Sequence, residues 1–146
     1  MDVNVEKLVS VIKQAIGNKK IDGITITGGD PLEQIVGFTE MLPLLRTITD
    51  DLLVYTGYTI EEVKNDISEL QWEALKQYIS VLIDGSYIDE LNDNQCVLRG
   101  SANQKIIYFD ESLKEKYLKY MERGRSIQNV FYNEKMISVG IHNNGI

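Results

Sequence analysis

The stretch Gly23-Ile-Thr-Ile-Thr-Gly-Gly-Asp-Pro31 constrains this chain most. An apolar, β-branched run stops at two glycines, an acid and a proline, the pattern of a buried strand that opens into a tight turn. In open α/β sheets and parallel barrels, ligands sit at that end of the strands. Paired glycines let a ligand approach the backbone, because no Cβ stands in the way. The exposed amides and the Asp30 carboxylate suit a polar, zwitterionic group. The same residues also read as a plain strand-to-helix turn, with Asp30 as its cap.

The pattern recurs along the chain. Val5, Leu8, Val9, Ile12 and Ile16 lie at helical spacing and Gly17 ends them, which predicts an amphipathic helix ahead of the first strand, Gly23 to Thr27. A second helix is expected from Leu32 to Thr47, kinked or broken near Leu42 by Pro43. Asp51 to Tyr55 reads as a strand that ends in Thr56-Gly57-Tyr58. Thr59 to Glu62 and Ser68 to Gln71 each have capping-box spacing, and the second starts a helix reaching Gln77. Tyr78 to Ile83 reads as a third strand, ending in Asp84-Gly85. Polar turn residues fill Asp89 to Gln95, and Lys105 to Phe109 is strand-like. Asp110 is placed to cap a helix to Met121, with Gly124 as its stop, and Ile127 to Tyr132 with Lys135 to Gly140 reads as a hairpin. Helices alternating with strands predict right-handed βαβ units and a parallel sheet, in one domain. The turns after the first three strands would then share one rim.

Charge and composition exclude several classes. The net charge of −7 argues against nucleic acid, whose phosphates need a basic face. The sequence lacks an apolar run long enough to span a bilayer and a signal-peptide pattern, so a cytosolic chain is expected. One cysteine, Cys96, cannot by itself make a disulfide, a zinc site or an iron–sulfur cluster. Cys96 reads as a small packed residue and His142, the one histidine, as a surface residue. Walker-type, Gly-x-Ser-x-Gly and Gly-x-Gly-x-x-Gly motifs are missing.

Four segments occur in order: Thr27-Gly-Gly-Asp-Pro-Leu32; Val54-Tyr-Thr-Gly-Tyr-Thr59 followed by Glu61-Glu62; Leu82-Ile-Asp-Gly85; and Arg99-Gly-Ser-Ala-Asn-Gln104. This series resembles the radical S-adenosylmethionine activases, in particular those that act on anaerobic ribonucleotide reductase, from the first helix to about Tyr108. The resemblance implies a partial parallel (β/α) barrel, a [4Fe–4S] cluster, and S-adenosylmethionine cleaved to a radical that abstracts hydrogen from a glycine of a partner reductase. It implies that Gly28, Gly29 and Asp30 contact the methionine end of the cofactor and that Pro31 shapes the turn. Tyr55, Thr56, Gly57, Asp84, Arg99, Ser101, Asn103 and Gln104 would line the same mouth. A guanidinium such as Arg99 can bind a carboxylate bidentately. Read singly, Tyr55 and Tyr58 are packing residues and Arg99 a surface ion-pair partner.

One departure stands out. In the family, a Cys-x3-Cys-x2-Cys loop follows a strand that precedes the first helix. This sequence begins at that helix, and Cys96 lies elsewhere. The expectation is therefore a barrel segment (residues 1–109) without its first strand, followed by a C-terminal helix and hairpin (110–146). It would be a truncated or degenerate activase, inactive by itself, with the cluster present only in a full-length relative. The alternatives are a non-catalytic module that binds a ligand or partner on the same fold, and an unrelated flavodoxin-like sheet. Without a predecessor, the strand bearing Ile24 and Ile26 would have a bare apolar edge. Either a homodimer forms there or another segment covers it.

Overall fold

The computed structural model describes residues 4–27, 29–91, 98, 99, 101–122 and 136–139, the last four by their backbone. Gly28, Cys96, Gly124, His142 and the 127–132 half of the expected hairpin lie outside them.

Helix α1 (Val5–Ile16) starts on Asn4, whose side chain accepts from the Lys7 amide, and ends at Gly17 with φ 56°. Glycine is the residue that takes this left-handed conformation without a steric penalty. Strand β1 (Gly23–Ile26) is buried along its length. Asp30 then caps a 3₁₀ turn, Pro31–Gln34, that runs into α2 (Ile35–Arg46). Of the kink or break expected near Leu42, the break is not made: Pro43 lies inside α2 and the helix continues through it. Leu42 and Leu45, on either side of Pro43, are fully buried. Their packing holds the last turn despite the lost backbone bond.

Strand β2 (Leu52–Tyr55) leads into α3 (Ile60–Asp66) and α4 (Glu69–Tyr78), and both helices carry the complete capping boxes read from Thr59–Glu62 and Ser68–Gln71. Strand β3 (Val81–Asp84) begins three residues later than expected, because Tyr78 is the last residue of α4. Strand β4 (Lys105–Tyr108) is followed by a 3₁₀ turn capped by Asp110 and by α5 (Lys114–Glu122), and β5 (Met136–Val139) closes the series.

The strands form one sheet in the order β4-β3-β2-β1-β5. β1 is parallel to β2 and to β5, β2 is parallel to β3, and β4 is antiparallel to β3. The α/β class and the parallel centre are as the alternating pattern predicts. Helices α1 to α4 pack on the face that carries Ile24, Ile26, Leu52, Val54 and Leu82. Successive strand residues point to opposite faces, so Leu53, Val81 and Ile83 form a second cluster, and it is covered by Tyr117, Leu113 and Met121 of α5 and the 3₁₀ turn before it, with Leu98. Four helices lie on one face of the sheet, and α5 adds a layer on the other. Of the expected hairpin, the 136–139 part is a strand, and it pairs in parallel with β1. It covers the edge that the sequence left without a neighbour.

α5 is anchored at the N-terminal end of the parallel strands. Asp51, whose side chain is 5% exposed, accepts from Lys116 Nζ at 2.6 Å and from the Tyr117 hydroxyl. Among the described residues, no helix is long and apolar enough to cross a membrane.

Candidate functional site

The C-terminal ends of β1, β2 and β3 meet on one rim, joined there by the start of antiparallel β4. Asp30 ties the first two tips together. Its Oδ1 accepts from the Leu32 amide at 3.1 Å, Thr56 Oγ1 donates to both carboxylate oxygens at 3.0 Å, and the Gly57 amide donates to Oδ2 at 2.8 Å. The carboxylate is thus a helix cap and a clasp between strands at the same time. It resembles a ligand group in the sequence because both roles call for an exposed acid after a strand.

Asp84 makes the equivalent clasp one strand further along. It is buried, its Oδ2 accepts from the Ile60 amide at 2.8 Å, and its Oδ1 accepts from the Lys105 amide at 3.0 Å. One carboxylate therefore holds the N-terminus of α3, where the helix dipole favours negative charge, and the first residue of β4. The β2 and β3 tips are stitched together by Gly85 N donating to Tyr58 O at 2.9 Å and Ser86 Oγ donating to Gly57 O at 3.0 Å.

The loop before β4 docks onto this frame through side-chain amides. Asn103 Nδ2 donates to Ser86 O at 2.7 Å and Gln104 Nε2 to Gly85 O at 2.8 Å. Ser101 is fully buried; its hydroxyl donates to Asn103 Oδ1 at 2.6 Å and accepts from the Ile88 amide at 3.1 Å, while its own amide donates to Gln104 Oε1. Tyr55 OH donates to Leu98 O at 2.5 Å. Leu98 has φ 69°, a strained value for a non-glycine residue, held by that bond and by its buried side chain. Arg99 follows it. Nη1 of Arg99 donates to Gln104 O at 3.2 Å and Ala102 O at 3.4 Å, and its Nε is buried and has no partner among the described residues.

The structure thus gathers Asp30, Pro31, Thr56, Gly57, Asp84, Ser101, Asn103 and Gln104 into one hydrogen-bonded rim, with Arg99 joined to its loop and Tyr55 reaching it from the α5 face. Most of these polar groups are satisfied by one another. The Arg99 guanidinium is the exception and keeps unused donor capacity.

Two rim residues carry weight that the sequence reading did not give them. Ser86 bridges two tips, and its signal was its place directly after Asp84-Gly85. Tyr58 OH donates to Glu33 Oε1 at 2.7 Å. That bond, with smaller contributions from desolvation and from the charges of Glu33, Asp30 and Asp66, pushes the Tyr58 phenol up to about 12. Glu33 also lines a groove of about 710 Å³ between the N-terminal ends of α1 and α2, along with Glu6, Glu40 and Val36. Among the described residues, no group of three or more His, Cys, Asp and Glu side chains is arranged to hold a metal ion.

Comparison with known proteins gives the rim a context. The family described as "4Fe-4S single cluster domain" matches residues 2–107. The chain is 38% identical over 113 residues to the anaerobic ribonucleoside-triphosphate reductase-activating protein of Pasteurella multocida (strain Pm70), covering 73% of this chain and 69% of that protein. It is 35% identical over 113 residues to the protein of that name from Haemophilus influenzae, covering 74% of this chain and 68% of the relative. For the one from Enterobacteria phage T4 the values are 34% over 103 residues, 67% and 60%. No solved structure matches the chain.

Proposed function

Since the chain belongs to the 4Fe-4S single cluster domain family and to that of the anaerobic ribonucleoside-triphosphate reductase-activating proteins, we propose that it is an activase-type domain whose strand-tip rim binds S-adenosylmethionine. The observation that supports this reading is the convergence of the β1, β2 and β3 tips, with Arg99 beside them holding an unpartnered buried donor. The fold is then a barrel segment to which α5 has been added on one face.

The two groups that the family implies fit these residues differently. A cubane cluster is held by several thiolates, and this sequence carries one cysteine. The residues present do not fit the cluster. The amino-acid end of S-adenosylmethionine fits better. Arg99 would take its carboxylate, because a guanidinium presents a planar fork of donors and here Nε is unused. Asp30 would act mainly by keeping the Gly29–Pro31 turn against Gly57, with its remaining acceptor capacity toward an ammonium. When bound, S-adenosylmethionine supplies a sulfonium whose cleavage needs an electron from elsewhere.

The proposed protein partner is an anaerobic ribonucleotide reductase carrying a glycine to be activated, as the names of the relatives imply for those proteins. A second reading, a non-catalytic binding module, is favoured by the commitment of Asp30 and Asp84 to the frame.

Isothermal calorimetry with S-adenosylmethionine tests the proposal. Saturable heat that falls at least about tenfold in affinity for Arg99→Ala supports it, since a charged hydrogen bond is worth roughly 1.5–3 kcal/mol. Absence of heat at millimolar ligand overturns cofactor binding. Anaerobic reconstitution with iron and sulfide is the parallel check: no cubane EPR signal is expected from this chain, and its appearance would mean that these residues do hold a cluster.

A further inference from the structure

We propose that Tyr55 is a positioning residue for the rim: its hydroxyl holds the peptide between Leu98 and Arg99 and so aims the Arg99 guanidinium. The proposal rests on reading Arg99 as the group that takes the carboxylate of S-adenosylmethionine.

Alternation along β2 decides where Tyr55 can act. Leu52 and Val54 face the cluster covered by α1 to α4, whereas Tyr55 follows Leu53 onto the opposite face. There it packs against the cluster of Leu53, Val81, Ile83, Leu98 and Tyr117. Its hydroxyl donates to the Leu98 carbonyl at 2.5 Å, so it acts through that peptide.

Among the described residues, Leu98 is the one non-glycine with a positive φ, 69°. A leucine is strained in this region, because its Cβ crowds the following carbonyl oxygen. Such strain persists only where the surroundings hold the residue, and it concentrates at ligand sites. Leu98 is held twice. Its side chain, buried among Leu53, Val81, Ile83 and Tyr117, anchors the residue to the core. The Tyr55 bond fixes the next peptide, because the Leu98 carbonyl oxygen shares one rigid plane with the Arg99 amide and Cα. The direction in which the chain enters Arg99 is thus set from the core. A phenol that needed only an acceptor would be served equally by an unstrained carbonyl.

The end of the loop supplies the other hold on Arg99. Nη1 donates to Gln104 O at 3.2 Å and to Ala102 O at 3.4 Å, and the Gln104 side chain is itself tied to Gly85 O at 2.8 Å. Between these holds, Nε is buried and has no partner among the described residues. A buried donor without an acceptor is costly, and an arginine free to turn would carry it to water. Fixing the backbone beneath Arg99 keeps that donor in place, already oriented for an arriving carboxylate.

Tyr55→Phe removes the donor and keeps the ring, and two measurements on the full chain read its effect. NMR without ligand follows the Arg99 Nε–H. Its exchange with solvent should rise at least about tenfold in Tyr55→Phe, as a locally released group does, while the Gly57 amide, held by Asp30, should keep its rate. Calorimetry should show about tenfold weaker binding of S-adenosylmethionine in Tyr55→Phe, comparable with the loss in Arg99→Ala. In an Arg99→Ala background, Tyr55→Phe should make no further difference, because a positioning residue acts only through the group that it positions. An equal loss in both backgrounds, or a loss in neither, overturns the proposal. So does an unchanged Nε–H rate, whether or not the ligand binds. If the unmodified chain gives no heat with S-adenosylmethionine, the cofactor reading fails and the Nε–H rate alone decides the role of Tyr55. If Tyr55→Phe does not fold, the Tyr55 hydroxyl proton of the unmodified chain decides: a slowly exchanging signal supports the hold on Leu98, and a signal lost to solvent exchange overturns it.

Discussion

Asp30 shows how one side chain can look like a ligand group and act as a fastener. Its carboxylate is shared among Leu32, Thr56 and Gly57, so its removal should be felt first as lost stability. Asp30→Ala is expected to cost about 2 kcal/mol in urea unfolding, as charge-assisted bonds to partly buried amides do. Asp30→Asn should recover part of that, because one oxygen still accepts while the new amide group faces the Gly57 donor. A variant as stable as the parent would show that the clasp is not formed in solution. Tyr58 offers a test by titration. Its folded pKa, near 12, lies above the ordinary value of 10, so the contribution of this group is complete below pH 10 and is lost as the pH rises from 10 to 12. Absorbance of the phenolates should show Tyr58 titrating late alongside Tyr108, which burial also raises, and Glu33→Gln should move Tyr58 back toward 10 and leave Tyr108 where it is, since the Glu33 bond is the largest cause of the Tyr58 shift.

At the scale of elements, the capping boxes were fully legible in the sequence, because Thr59 with Glu62 and Ser68 with Gln71 satisfy each other's free amides within one turn. Thr59→Ala should lose about 1 kcal/mol, measured as a shift in the denaturation midpoint without a change in slope. Gly23 carries a different constraint. A Cβ there would lie 2.9 Å from the Asp51 carbonyl oxygen, which itself accepts the Ile24 amide that starts the β1–β2 ladder. Gly23→Ala should therefore cost about 1–3 kcal/mol as the two strands are pushed apart. The element boundaries that the sequence missed have local causes. Pro43 in the sequence signals a kink or a break, yet the buried leucines around it keep α2 continuous. Tyr78 has the pattern of a strand residue, yet it finishes α4, since an aromatic β-former at a junction is decided by its tertiary surroundings.

For the whole molecule, the position of α5 sets the two-sided arrangement of the sheet. The Asp51 carboxylate is almost fully buried beneath Lys116 and Tyr117. Lys116→Ala should cost about 2 kcal/mol, less than a fully buried pair because the lysine is 31% exposed. A double-mutant cycle with Asp51→Asn should show coupling between the two positions, and additive losses would mean that α5 is not latched there.

The residues by themselves determined the order of helices and strands from α1 to α5, the caps that start them, and the three strand tips that share a rim. Each of these depends on period and turn chemistry within a few positions, and these are local properties. Only the tertiary structure decided that β4 runs antiparallel, that β5 lies against β1, that α5 covers the second face, and that Asp30 and Asp84 are already held by backbone amides of other elements. Strand partners and the second acceptor site of a carboxylate are set by groups many residues away, and their choice is a contest among packed alternatives that no local pattern records.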